Sequence, residues 1–331
     1  MVDFYEDWID ADAQLQAEFH RAKHVARDRD IPWLKTRFDA KVKLMVDGNL
    51  GYATMGGNVL KAEIPVGWHT GRHAHGEESL NILRGEGFSV VDGQRFDWHK
   101  GTTLQIPYRA VHQHFNTGSE PAMYLSGMCF SLERFLKIAK MEHYEDCGPN
   151  DPAILATFPA QASEYYRDGP RAIIHIEDAP ADYEFPGHNA NPGSKNQHHY
   201  TKYLVAPENG FKATSVAVTH LWEEPAGTHS GKHSHLEAVV YAWQGRGRTD
   251  LNGIDEPWEE GDVLHVPPTM WEHMHYNDTD ESYWQLRIQF GIRQWFEGIY
   301  PGYQRKRILD EQGRPIEAGP IERERERTRS M

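Results

Sequence analysis

Residues 67–77 read Gly-Trp-His-Thr-Gly-Arg-His-Ala-His-Gly-Glu, and residues 227–237 read Gly-Thr-His-Ser-Gly-Lys-His-Ser-His-Leu-Glu. The copies lie 160 residues apart, and three histidines and one glutamate occupy matching places in both. In an extended strand, residues two apart share a face. His73, His75 and Glu77 therefore point one way, and His233, His235 and Glu237 do the same. Imidazoles that converge on one spot are suited to hold a transition metal.

Outward from the two stretches, the surroundings repeat as well. Gly85, Gly87, Trp98, Gly101 and Pro107 have counterparts in Gly245, Gly247, Trp258, Gly261 and Pro267. Asp92-Gly93 and Asn252-Gly253 are both type I′ hairpin signals. His112-Gln-His-Phe-Asn116 pairs with His273-Met-His-Tyr-Asn277 after one inserted residue. A repeat of this length is a duplicated domain, not a solenoid unit. Short strands, such as 40–46, 59–64 and 122–130, alternate with glycine-centred turns, and such a pattern gives a sandwich or barrel. Helical patterns are expected over 6–29, ended before Pro32, over 131–142 with Ser131 as N-cap, and again from Phe290. The expected segments are a helical arm and strand over 1–50, a first barrel over 51–147 and a linker over 148–212. A second barrel over 213–300 and a tail over 301–331 complete the chain.

At 331 residues, length alone suggests about two domains. The net charge of −14 argues against nucleic acid or an anionic membrane as a partner. The chain has no 18-residue apolar run and no apolar stretch near its N-terminus, so neither a transmembrane helix nor a signal peptide is expected. Two cysteines, Cys129 and Cys147, are too few for a disulfide framework or a thiolate cage. A cytoplasmic location is expected, with Cys129 in the core. Trp98 and Trp258 read as packing residues, and Asn116 and Asn277 as donors within turns.

The spacing resembles that of the cupins. Gly67 to His73-Ala-His75 and Gly227 to His233-Ser-His235 fit the first motif of that family. Gly101, Pro107, His112 and Asn116 fit the second, as do Gly261, Pro267, His273 and Asn277 with one extra residue. The resemblance covers roughly residues 55–140 and 215–300 and implies an all-β bicupin, two jelly-roll (double-stranded β-helix) barrels with short helices. Many cupins add a glutamate four residues after the second histidine, where this chain has Ser79 and Val239. Glu78 could take that place in the first barrel, but the second has Ala238, so a site of three histidines is expected in at least one barrel. Glu77 and Glu237 remain either close to the metal or ion-pair partners of Arg72 and Lys232.

Three-histidine bicupins of this length are similar to the gentisate 1,2-dioxygenase group. That resemblance implies Fe(II) on His73, His75 and His112, and on His233, His235 and His273, with His114 as the other choice for third ligand in the first barrel. It implies an extradiol-type dioxygenase that opens the ring of a gentisate-, salicylate- or hydroquinone-like substrate with O2. Three imidazoles on one face of an octahedral ion leave three positions open, enough for two substrate oxygens and dioxygen. His114 and His275 would act as acid/base groups or orient a ligand. The arginine by which the group holds the substrate carboxylate has no counterpart here, because the chain has Asn81 in the nearest alignment. Arg72, Arg84 or Arg109 could replace it, and Asn81, Gln105, Tyr108 and Arg109 are the candidate substrate contacts. His69 and His229 read as surface or supporting residues. A Mn-dependent bicupin acting on a small carboxylic acid, as a decarboxylase or isomerase, is the competing enzyme. A non-catalytic ligand-binding bicupin is the third reading, and a homo-oligomer is expected in each case.

Overall fold

A computed structural model describes residues 4–167, 169–180, 200–268 and 271–291. The fold is all-β with a few short helices, as the alternating apolar pattern requires. Each half folds into two facing sheets that enclose a lumen. In the first half, Lys41–Val46, Asn58–Ile64, Ala122–Met128, Glu78–Arg84, Thr102–Ile106 and Ile173–His175 form one sheet. The facing sheet is built on Glu86–Val91, Gln94–His99, His112–Asn116 and the short histidine-bearing strands before residue 75. In the second half, Ala238–Gln244 and Tyr283–Phe290 lie at the centre of the larger sheet. Arg246–Leu251, Ile254–Glu259 and His273–Tyr276 form the facing one.

Both expected hairpin turns take the geometry their residues favour. Asp92 and Gly93 have φ of 45° and 74°, and Asn252 and Gly253 have φ of 51° and 87°. Two successive left-handed residues define type I′, whose twist matches the flanking strands.

The larger sheets of the two barrels pack against each other. Met45, Val46, Val59 and Leu125 of the first share a buried cluster with Val239, Tyr241, Val263, Leu286, Ile288 and Phe290 of the second. Gly127 permits this approach, since a Cβ there would sit 2.9 Å from Ile288 Cγ2. Because strand residues alternate in direction, this contact fixes which side chains face each lumen. Leu80, Ile82, Leu104, Ile106 and Tyr124 fill the first barrel.

The barrels also exchange edge strands. Val25–Ala26, which precedes the first barrel in the chain, pairs with Val263 and Leu264 of the second. Ile173–His175, which precedes the second barrel, pairs with Thr102–Leu104 of the first. The segment between the barrels is thus partly sheet: Gly148–Pro149 also pairs with the first barrel, at Trp68 and His69.

Two helices differ from expectation. The N-terminal pattern forms Phe4–Ile9 and Ala11–Arg21 and ends there, because Ala22 turns extended and Val25 enters the sheet of the second barrel. Phe19 then packs edge-on against Trp271, with ring centroids 5.8 Å apart. The helix expected over 131–142 spans only Phe130–Phe135. Ser131 lies inside it and Cys129 holds the cap position. Lys137, at φ 63°, turns the chain away, and Glu142–Glu145 pairs with Arg72–Ala74. The helix expected after Phe290 and the tail from 301 lie outside the described residues. No helix among the described residues is long and apolar enough to cross a membrane.

Candidate metal centres

The strands deliver both histidine sets as their spacing demands. One liganding nitrogen each from His73, His75 and His112 lies within 4.8 Å of the others, and the same holds for His233, His235 and His273. All six residues are buried. His112 pairs directly with His73 across the ladder, and His273 with His233.

The backbone fixes the tautomers. The Nδ1 atoms of His73, His75 and His112 lie 2.8, 2.9 and 2.9 Å from the carbonyl oxygens of Gly71, Gly76 and Ala110. Those of His233, His235 and His273 lie 2.7, 2.6 and 3.0 Å from the carbonyls of Gly231, Leu236 and Trp271. A carbonyl only accepts, so each Nδ1 carries the proton and each Nε2 presents a lone pair. The Nε2 atoms of His235 and His273 are 3.1 Å apart. Two lone pairs that close repel unless a cation lies between them. Adjacent ligands at right angles, each about 2.1 Å from an ion, stand about 3 Å apart, so the donor set fits a first-row metal. The buried His112 Nε2 and Glu78 Oε2 have no hydrogen-bond partner, as atoms awaiting a cation would not.

Charge in the first barrel is suppressed by burial. Desolvation first, and then the neighbouring His75, push His73 down to about 3. Burial, with His73 and His75 adding to it, holds His112 well below the usual histidine range. Burial likewise raises Glu78 above the ordinary carboxylate range, against the pull of His75 and Ser126. These histidines are neutral at physiological pH, the state a metal ligand requires.

His114 and His275 belong to a different arrangement. His114 Nδ1 lies 2.7 Å from Ser89 Oγ, which accepts from Trp98 Nε1 at 3.0 Å. His275 Nδ1 lies 2.8 Å from Thr249 Oγ1, which accepts from Trp258 Nε1 at 3.1 Å. Each hydroxyl receives the indole proton and has its own to give to the imidazole. That leaves the proton on Nε2, although His114 also stands with Glu78 and His112 in a third set whose donor atoms lie within 4.8 Å of one another. The two tryptophans thus orient these histidines as well as pack.

The fourth position differs between the barrels. Glu78 Oε2 lies 3.5 Å from both His75 Nε2 and His112 Nε2, and its other oxygen accepts from Ser126. Its counterpart in the second barrel is Ala238, so Glu78 stands beside the first set with the one-residue shift, and the second set has three histidines alone among the described residues. Glu77 and Glu237 join neither histidine set, and Arg72 and Lys232 pair instead with Glu145 and Glu272. Glu77 accepts from the backbone N–H groups of Thr214, Ser215 and Val216, and Glu237 from Met55 N–H at 2.8 Å and His265 Nε2 at 2.9 Å. Each carboxylate ties its barrel to the other.

The four expected substrate contacts are not brought to the histidines. Asn81 and Gln105 sit on the strand faces opposite Glu78 and Ile106, toward the inter-barrel contact. Asn81 is occupied by Ser79, Leu125 and Thr103. Tyr108 is exposed and donates to the carbonyl of Ile138. Arg109 has a φ of 65° and its guanidinium reaches toward Glu142, 3.6 Å away. Of the other arginines, Arg72 lies against Glu145 and Arg84 bonds Glu63 and the Pro121 carbonyl. His69 and His229 bond neighbouring carbonyls, and Asn116 and Asn277 donate to turn carbonyls.

Two β-barrels, each carrying a histidine triad on its first and second motifs, define a bicupin. The chain belongs to the cupin family: residues 60–128 match the family's Cupin domain. An uncharacterized protein of Methanocaldococcus jannaschii is 33% identical over 100 residues, covering 27% of this chain and 79% of that protein. Among solved structures, salicylate 1,2-dioxygenase of Pseudoaminobacter salicylatoxidans, with gentisate, superimposes with a TM-score of 0.61 at 16% identity over 84% of this chain and 83% of that one. A deletion mutant of Bacillus subtilis oxalate decarboxylase superimposes with a TM-score of 0.63 at 13% identity over 82% and 78%. At such identities the likeness is one of fold.

The motifs do not cover the strand Tyr283–Phe290, which brings Gln285, Arg287 and Gln289 into the second lumen. The signal in the sequence is the strict alternation at Gln-Leu-Arg-Ile-Gln, where apolar residues face the other barrel and polar ones face inward.

Proposed function

We propose that the protein is an Fe(II)-dependent dioxygenase that opens the ring of a hydroxylated aromatic compound, with its reactive site in the second barrel. The observation that carries this reading is the set of His233, His235 and His273 with Ala238 in the fourth place. Three neutral donors leave room at an octahedral ion for a chelating substrate and for O2. Bound iron would supply the electron transfer between substrate and O2 that ring opening needs.

The chain itself does the rest. The carbonyls of Gly231, Leu236 and Trp271 hold the three rings with Nε2 inward. Thr249 holds His275 as a donor, and from there it can orient or protonate a developing oxyanion. The barrel walls keep bulk water from the site. The salicylate dioxygenase relative supports the reading by its fold.

Glu78 favours a second reading for the first barrel. Three histidines and a carboxylate suit a harder ion such as Mn(II), and oxalate decarboxylase shares the fold. An oxygen electrode separates the two. Iron-loaded protein is expected to consume O2 with gentisate or hydroquinone, and His233→Ala to abolish uptake while His73→Ala retains part of it. Uptake that survives in His233→Ala and is lost in His73→Ala moves the reaction to the first barrel. Manganese in the purified protein with no O2 consumed favours acid chemistry instead.

A further inference from the structure

The second lumen carries a cation that no carboxylate among the described residues neutralises. Arg287 lies on the central strand Tyr283–Phe290, opposite Val240 on one side and His220 on the other. Its neighbours Leu286 and Ile288 face the first barrel, so Arg287 points inward. No carboxylate among the described residues lies within ion-pair distance of its guanidinium. Nη2 donates to Gln289 Oε1 at 3.0 Å, and Nε is buried without a partner. Burial draws the guanidinium down to about 10, so it remains charged near neutrality. A charge taken from water with no counterion is costly. The residue nonetheless keeps intermediate exposure, as a group lining a lumen does.

The duplication shows what this arginine replaces. In the first barrel, Glu78 pairs with Met128 and Leu80 with Ser126. In the second, Ala238 pairs with Gln289 and Val240 with Arg287. Arg287 therefore occupies the place of Ser126, the residue whose hydroxyl bonds Glu78. One barrel has a protein carboxylate and its hydroxyl partner. The other has the methyl group of Ala238 and a guanidinium with an amide in attendance. Gln285, Tyr283 and Glu224 line the same inward face, each with a buried oxygen that has no partner.

We infer that the second barrel binds a small organic acid, whose carboxylate enters the space left by Ala238 and is held by Arg287 and Gln289 beside the histidine triad. In the first barrel the protein supplies the anion, and in the second the ligand does. The inference builds on the proposed reactive site, and it identifies that site's substrate as an acid.

Anaerobic calorimetry on metal-loaded protein tests this with no turnover. Gentisate is expected to bind at least tenfold more tightly than hydroquinone, which lacks the carboxylate. Arg287→Met should erase that ratio and Arg287→Lys should restore part of it. Ala238→Glu, which returns a protein carboxylate to the second barrel, should weaken gentisate binding more than tenfold while metal content stays unchanged. Arg287→Met protein that binds gentisate as tightly as wild type overturns the inference. So does wild-type protein that is loaded in the second barrel yet binds neither gentisate nor oxalate. If Arg287→Met does not fold, Ala238→Glu decides alone, and retained gentisate binding there overturns it. Absent O2 uptake with every aromatic would count against ring opening and leave the anion-binding result standing.

Discussion

The two barrels share a fold, a spacing and a histidine triad, yet their lumens have opposite characters. The first is lined by Leu60, Ala62, Ile64, Leu80 and Tyr124, with Glu78 as its one carboxylate at the triad. The second has His220, Trp222, Glu224, Val240 and Gln285 at the corresponding places, with Arg287 and Gln289 beyond them. Strand pairing and turn chemistry are kept in both, because the backbone fixes them. The inward residues are free to diverge, because each barrel needs only enough apolar packing to close. Duplication has produced one triad with a carboxylate beside it and one with alanine at the matching place.

Four expected outcomes would break or sharpen that contrast. The largest concerns the metal. Removing both His233 and His273 should cost half the bound metal and leave the other half at Glu78, as read by metal analysis of the dialysed protein. Loss of all metal would mean that the barrels do not load independently. Next is Glu78→Ala. Without its fourth donor the first site should bind its ion at least tenfold more weakly and resemble the second. Competition with a chelator would show this, and unchanged affinity would mean that Glu78 is not a ligand.

Stability effects come third. Glu77→Ala strips a carboxylate from the backbone N–H groups of three residues at the inter-barrel contact. Buried donors left unpaired cost about 1–3 kcal/mol each, so a loss of about 3 kcal/mol or more is expected in urea unfolding. Glu237→Ala, which frees Met55 N–H and His265, should cost less. Equal and negligible losses would show that these contacts do not hold the barrels together.

The smallest effect is on pH dependence. Burial raises Glu224 to about 7, with the Thr228 hydroxyl opposing it. A carboxyl whose folded value is raised contributes stability at low pH, and that contribution fades as pH climbs from the unfolded range near 4.5 through 7. Asp39 and Glu133, raised by burial to about 6 and 7, act in the same direction. Stability should therefore fall between pH 5 and 8, and Glu224→Gln should flatten part of that fall. Ile64, at the same position in the first barrel, makes no such contribution. A Glu224→Gln profile parallel to wild type would show that Glu224 is ionised at neutral pH.

Much of this was legible in the sequence. The repeat, both triads, the I′ turns and the choice of Glu78 over Ser79 rested on local spacing, and spacing along a strand maps directly onto faces. Asn81 and Gln105 face away from the histidines for a related reason. Once Glu78 points inward, Asn81 must point outward, and Gln105 opposite Ser79 must follow it. Which face is inward is settled only by what packs outside, and that depends on the second barrel. Glu77 and the exchanged strands at Val25–Ala26 and Ile173–His175 were hidden for the same reason, since their partners lie about 70 residues or more away in the chain. Arg287 lay in a strand beyond the last motif. Its meaning appears only when the two ladders are set side by side.

The most direct test is anomalous diffraction from crystals of Co(II)-loaded protein. Two peaks are expected, one per barrel. The first should be ringed by four protein donors, His73, His75, His112 and Glu78, and the second by three, His233, His235 and His273. A single peak, or a second ion fully enclosed by protein donors, would contradict the account.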